Sequence, residues 1–425
     1  MSTSLTSLEA SVEGKLSSVR ALQPQRRSQP FTIFRVPEYI RESNRTAYEP
    51  RAVSIGPYYR GAAALGAMEE HKWRYLVDLL ARDAGAGSQM PSASVLIQEM
   101  RSLEARARAC YSESAALGSD DLVLMLLLDG CFILEFFFKW HEKEPDALCD
   151  VGWGLTLVTA DLLLLENQIP FFAVERLYDL VAGAQLGGRD NLVSLLLEYI
   201  SDEEPIARPA ATDEINHLLH LFVPKRPPVA RPRRTRRPAT RAMIPRAAEM
   251  AAAGVAFALR GSARDTYDVA FDGKRGVMEI PAVAVDDMDR ALLVNLIAFE
   301  QTQGAEETRL LTSYVALMSM LVRSPEDVEL LRRRGILDNL LADDDEAARF
   351  FSHLGDGGAM NYDNQVFAEL YEDVRRYCGS WWHRNRAALR RDYFGSPWSA
   401  ISFVVAGLVV ALAATQTYFT VFPRK

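Results

Sequence analysis

The chain lacks the signatures of phosphate-cradling loops and of the commonest hydrolases. It contains no GxxxxGKS/T, no GxGxxG, no GxSxG and no HExxH, so nothing in it predicts nucleotide binding by a glycine loop, a nucleophile elbow or a zinc protease. Cysteine is sparse. Cys110, Cys131, Cys149 and Cys378 are the four present, and no two stand in CxxC spacing. That argues against a disulfide framework and a cysteine-ligated zinc module, and fits a reducing compartment. Residues 1–30 are rich in Ser and Thr and hold no continuous apolar run, so neither a secretory signal peptide nor the surface lipid anchor that depends on one is expected. Internal repeats are absent too.

One further absence is positional. From Tyr393 to Pro423 there is no charged side chain, and Trp398–Phe422 is dominated by Ile, Phe, Val, Leu and Ala. As a helix that stretch measures roughly 37 Å, enough for a hydrocarbon core of ~30 Å. Trp398 at one end and Tyr418 and Phe422 at the other are placed like an interfacial aromatic belt. Residues 393–425 are therefore expected to be a transmembrane anchor with a short tail, meeting the bilayer through residues 398–422. Arg384, Arg386, Arg390 and Arg391 precede it, against Arg424 and Lys425 after it. The positive-inside bias predicts a single-pass protein, at the plasma membrane or an endomembrane, with its bulk in the cytosol. There the sequon Asn44-Arg45-Thr46 would stay unmodified. Within the span Gly407, Ala411 and Thr415 recur every four residues, a smooth stripe suited to self-association.

Periodicity predicts a mainly α protein: a multi-helix globular body over 31–392 with a minor β-hairpin, then the transmembrane helix. Residues 1–30 form a variable, partly disordered segment, though Leu5, Leu8, Val12, Leu16, Val19 and Leu22 mark an amphipathic stripe. Helices are expected from about Ala67 to Arg82 and over Val95–Ala116, Leu122–Trp140 and Leu155–Leu180, the last bent or broken at Pro170. Further helices are expected over Asn191–Ile200, Asp213–Phe222, Ala247–Leu259, Asp289–Gln301, Arg309–Val322, Pro325–Arg334, Asp343–Leu354 and Gln365–Tyr393. Tyr267–Phe271 and Val277–Ile280, joined around Asp272-Gly273, predict the hairpin.

Residues 225–246 change character. They carry nine basic side chains, no acidic one and five prolines, and removing those nine charges takes the formal net charge from −8 to −17. Such a segment predicts a disordered basic loop on an acidic body. Its arginines Arg231, Arg233, Arg234, Arg236 and Arg237 suit anionic lipid headgroups, at about 1 kcal/mol per basic residue close to the surface. Nucleic acid is not an expected partner for an anchored chain. A solvated linker folding back on the acidic body accounts for the loop equally well.

Three clusters invite chemistry. In MEEHKWRYL, Glu69, Glu70 and His71 are adjacent and so point apart on a helix, while Trp73, Leu76, Val77 and Leu80 are expected to line its apolar face. Glu214-x-x-His217 with His220 has half of a di-iron pattern, and no second Glu-x-x-His occurs. Asp129, Glu135, Glu166, Asn167 and Gln168 lie among large apolar residues in DGCFILEFF and DLLLLENQIPFF. They read as a hydrogen-bonded structural network, with paired carboxylates of a hydrolase as the alternative. No catalytic, cofactor or metal residue is assigned.

The segments FRVPEYIRESNRTAYEPRAVSIGPYYRG, MEEHKWRYL, DGCFILEFF, DLLLLENQIPFFAVERLYDL, HLLHLF, AAEMAAAGVAF, GVMEIPAVAVDD, LLVNLIAFEQ and YFGSPW follow one another in order. In them the chain resembles the plant domain-of-unknown-function family numbered 247. The resemblance implies a helical, membrane-anchored protein without established catalysis. Some members are implicated in pollen self-incompatibility, which implies recognition or signalling. The expected function is a membrane-tethered, non-enzymatic interaction protein whose partners are unknown. The alternatives are a hydrolase using Glu135 and Glu166, or an anionic-lipid-binding module using the basic loop.

Overall fold

A computed structural model describes residues 8–17, 31–42, 44–82, 90–113, 116–200, 214–223, 243–303, 309–354, 366–382, 385 and 397–421. The chain falls into two compact units. The first, built mainly from residues up to Arg231 and from Asp287–Glu307, holds α1 (8–17), α2 (Glu38–Arg41), α3 (Gly66–Ala81), α4 (Ala93–Ala109), α5 (Ser119–Glu142), α6 (Gly154–Leu162), α7 (Phe171–Leu186), α8 (Arg189–Ile200) and α10 (Asp287–Thr302). The second holds α9 (Ala247–Ala252), the strands β1 (Ala256–Leu259), β2 (Ala270–Asp272), β3 (Val277–Ile280), β4 (Val283–Val285) and β5 (Leu337–Asn339), then α11 (Leu310–Leu321), α12 (Pro325–Arg333), α13 (Asp344–Leu354), α14 (Ala368–Gly379) and a C-terminal helix, Pro397–Val421. The mainly α reading holds.

In the first unit α5 is the axis. Asp120 and Asp121 sit in its first turn, where carboxylates favour the helix dipole. Its end is closed at Lys143, which adopts a left-handed φ of 55° and donates its N–H to the Lys139 and Trp140 carbonyls. Between these ends nearly every side chain from Leu122 to Phe137 is buried, Asp129 and Glu135 included, because α3, α4, α7 and α8 surround it. It is a core helix, as its interrupting charges predict.

In the second unit β2 and β3 are antiparallel, the expected hairpin, with Asp272 Oδ1 accepting from the Lys274 and Arg275 amides in its turn. β1 adds to β3 in parallel, and β4 pairs β5 in parallel. α12 begins with a capping box, Ser324 with Asp327.

Several expectations are corrected. The helix expected over Ala247–Leu259 ends at Ala252, Gly254 turns the chain at φ 96°, and the rest is strand β1. Helical periodicity misled there because the pairing partner, β3, is distant in sequence. The helix expected over Asp213–Phe222 is not found in its described part: 214–216 are irregular and Leu218–Phe222 is a 3-10 turn. Leu155–Leu180 is broken, the second of the two expected alternatives, but over a longer stretch than Pro170 alone: an irregular, buried segment, 163–170, separates α6 from α7. Pro170 disfavours helix at the residue before it. The helix expected over Gln365–Tyr393 stops at Gly379, and Ser380 separates it from helical residues 381–382.

The basic segment also ends earlier than expected. Ile244 is buried, and Arg246 donates to Ser324 Oγ and pairs with Glu326 at 3.0 Å and Asp327 at 3.4 Å. Arg231, Arg233, Arg234, Arg236 and Arg237 lie outside the described residues, as do Leu5, Val19 and Leu22 of the N-terminal stripe. Leu8, Val12 and Leu16 stand exposed on α1.

Candidate functional site

Segment 163–170 runs through the core without regular structure, so its backbone and that of its neighbours must be satisfied by other means. Its own polar side chains do this, with help from α5 and α6. Asp161, at the end of α6, accepts from three consecutive amides, Arg51, Ala52 and Val53, at 2.9, 2.6 and 2.8 Å. Asn167 Oδ1 takes the Ile55 amide at 2.7 Å, while its Nδ2 donates to the Val53 and Asp161 carbonyls. Asp129 takes the Gly56 amide at 2.8 Å. Side chains thereby replace a neighbouring strand along residues 51–56. Gly56 is required at the end of this run: its φ is 80°, and a Cβ would strike the Gln168 carbonyl oxygen.

The remaining groups are equally engaged. Gln168 Nε2 donates to the Leu162 and Leu164 carbonyls, both at 2.7 Å. Glu166 accepts from the Val36 amide at 2.8 Å and the Tyr59 hydroxyl at 2.6 Å, with Arg41 at 3.4 Å. Lys72, fully buried, donates to Asp129, Glu69 and the Ser54 carbonyl. Asn295 of α10 takes the Leu165 amide and donates to the Ala47 and Ala291 carbonyls. Glu135 forms a two-pronged pair with Arg82 at 2.6 and 3.0 Å.

Burial pushes the Asp129, Asp161, Glu166 and Glu135 carboxyls above their ordinary range, and their hydrogen-bond donors and cations pull them back. The void that Asn167 and Gln168 share with Ile55, Ile133 and Phe171 measures about 10 Å³, space for about one water molecule. Among the described residues Glu135 and Glu166 share no partner. Proton transfer to a substrate needs a carboxylate that a substrate can reach, and these side chains are 1% and 0% exposed. The arrangement can fix the register of irregular backbone against helices.

The other clusters do not converge. Glu69 turns inward to Lys72 while Glu70 faces solvent beside Arg74. The apolar face of α3 also differs from the one expected: Met68, Lys72, Tyr75, Leu76 and Leu79 are buried, and Trp73 and Val77 are exposed. On the observed face Lys72 is buried against the Asp129 carboxylate. Glu214 is exposed and non-helical, whereas His217 is wholly buried, so they lack the one-turn spacing of a metal pair. Among the described residues neither His217 ring nitrogen has a partner in good hydrogen-bond geometry, though the Thr32 backbone acts on it, and its ring meets Phe299 edge-on at 4.6 Å. Among the described residues no three His, Cys, Asp or Glu side chains group as metal ligands. Sequence reading missed Asp161, Lys72 and Asn295. Asp161 carried a signal, a lone acid leading the apolar run of DLLLLENQIPFF.

The surface holds the remaining candidates. The C-terminal helix runs for 25 residues. Its side chains are described from 405 to 418, and each of those residues is exposed. Among the described residues no helix is long and apolar enough to cross a membrane. Gly407 is open on its flank, and the Thr415 hydroxyl is bonded to the Ala411 carbonyl. Trp381 and Trp382, beyond α14, are 69% and 76% exposed with rings edge-on at 5.6 Å.

Comparison with known proteins places this architecture. The sequence profile of the family DUF247, described as plant protein of unknown function, matches residues 33–412. The UPF0481 protein At3g47200 of Arabidopsis thaliana is 29% identical over 420 residues, covering 91% of this chain and 85% of that protein. A second UPF0481 protein of that plant, At3g02645, is 23% identical over 488 residues, covering 92% and 90%. No solved structure matches. With the profile spanning both units and reaching into the C-terminal helix, the chain belongs to the plant family DUF247.

Proposed function

We propose that this protein is a membrane-tethered, non-enzymatic interaction protein whose body lies in the cytosol. The C-terminal helix carries the reading. It has no charged residue between Tyr393 and Pro423, and Val405, Leu408, Val409, Val410 and Leu412 are each more than half exposed around it. A helix apolar on all sides belongs inside a protein or a bilayer, and its described side chains, from 405 to 418, are all exposed.

The orientation rests on the four arginines before the helix and on Asn44. That residue is 7% exposed, and its side-chain oxygen accepts from Arg290 at 2.8 Å. A glycan on Asn44 would displace this contact, so a body on the glycosylating side of a membrane would carry a modification that its fold rejects.

The non-enzymatic reading is supported by the core carboxylates, whose oxygens are taken up by backbone amides, a tyrosine hydroxyl and cations. A hydrolase using Glu135 and Glu166 has no geometric support. Recognition or signalling is what the family resemblance implies.

The test is alkaline carbonate extraction and protease protection of the full chain in plant cells, with a chain lacking 397–425 as control. Retention in the pellet with a protease-sensitive N-terminus is expected. Release of the full chain by carbonate overturns the tether, and a protected N-terminus overturns the orientation. Proximity labelling from that N-terminus would then identify the partners.

A further inference from the structure

We propose that Trp381 and Trp382 form a second membrane contact, seating the end of α14 in the headgroup layer of an anionic bilayer. The inference rests on the tether and deepens it, by adding a contact outside the apolar span.

The helix α14 buries one face, with Phe367 just before it and Tyr371 and Val374 on it, at helical spacing. The same spacing continues through Cys378, half-buried, to 381 and 382. At Ser380 the chain leaves helical geometry with ψ 121°. The next two residues are the largest apolar side chains available, and both stand about three-quarters in solvent. A tryptophan buries about 150–250 Å² when covered, so the pair leaves a sizeable apolar surface uncovered at one point.

Three properties select a lipid surface. Indole has an apolar body and one N–H donor, which favours the boundary between headgroups and acyl chains. The sequence directly after the pair is basic: Arg384, Arg386, Arg390 and Arg391 against one acid, Asp392, and Arg375 is exposed on α14 itself. Such charge draws a segment to anionic headgroups. Finally, fourteen residues separate Trp382 from Pro397, at most about 50 Å of chain, so the pair is leashed to the point where the apolar helix begins.

The experiment uses full-length protein reconstituted in vesicles of phosphatidylcholine and phosphatidylserine, with brominated acyl chains as a contact quencher and iodide as an aqueous one. Wild type is compared with W381F/W382F, which keeps four of the six tryptophans. Unchanged circular dichroism and melting would establish that the variant folds. A change in either moves the comparison to single variants W381F and W382F. With the pair at the interface, the bromolipid-quenched share of emission falls by roughly half in the variant, Trp398 alone remaining near lipid. The lost emission is shielded from iodide in wild type, and less so in vesicles of phosphatidylcholine alone. An unchanged quenched share, with the pair open to iodide, overturns the proposal and leaves a protein partner as the occupant. Shielding independent of phosphatidylserine overturns the anionic requirement. Carbonate resistance and Trp398 quenching report the tether separately, so the pair can fail while the tether stands.

Discussion

Lys72 donates to the Asp129 carboxylate at 2.7 Å, and neither side chain has any exposed surface. Two charges are thus held dry between α3 and α5, where removing one leaves the other uncompensated. Lys72→Met is expected to destabilise by roughly 3–5 kcal/mol. The double variant K72M/D129N should recover much of that loss, because asparagine still accepts the Gly56 amide without a charge. Denaturant melts of the wild type, K72M, D129N and K72M/D129N check this, and a double variant no better than K72M would remove the pairing argument.

Asn167 serves the Ile55 amide and two carbonyls at once. Asn167→Leu leaves three buried polar groups unpaired, at about 1–3 kcal/mol each, so a melting point lowered by many degrees or failure to fold is expected. Unchanged melting with lost interaction in cells would instead mark Asn167 as part of a binding site.

Burial lowers His217 to about 3, with His220 adding to the shift. The unfolded imidazole titrates near 6.5. Above that pH both states are neutral and His217 contributes no pH dependence. As pH falls from 6.5 toward 3 the unfolded state takes up the proton first, and stability falls by up to about 1.4 kcal/mol per pH unit. His217→Phe, which keeps an aromatic beside Phe299, should flatten this limb. Parallel melting curves against pH for both proteins would rule the assignment out.

Gly407, Ala411 and Thr415 give the C-terminal helix one smooth side, and the flank of Gly407 is open. Gly407→Ile is expected to weaken self-association in detergent or bilayer cross-linking, since a branched side chain keeps helix backbones apart. Equal cross-linking in both proteins would dispose of this role.

Much of the helical layout was legible because hydrophobic period is a local property. The positions of α5, α8 and α11–α13 follow from apolar spacing within each segment, and the β2–β3 turn from Asp272-Gly273. The charge-free stretch from Tyr393 to Pro423 needs only composition. Two of the misreadings arise from partners distant in sequence. Ala256–Leu259 became strand through pairing with Val277–Ile280, and Leu218–Phe222 left helical geometry where the Leu219 amide faces Gln168 Oε1.

The amino-acid sequence by itself determined the family, the mainly helical class and the uncharged C-terminal helix, each written in neighbouring residues. Only the tertiary structure decided which way the polar side chains face. Asp161 meets Arg51 across 110 residues and Asn295 meets Ala47 across 248. A buried charge is tolerated only where its partner arrives, and no local period records that arrival. For the same reason Lys72 lies in the core while Trp73, beside it in the chain, faces solvent.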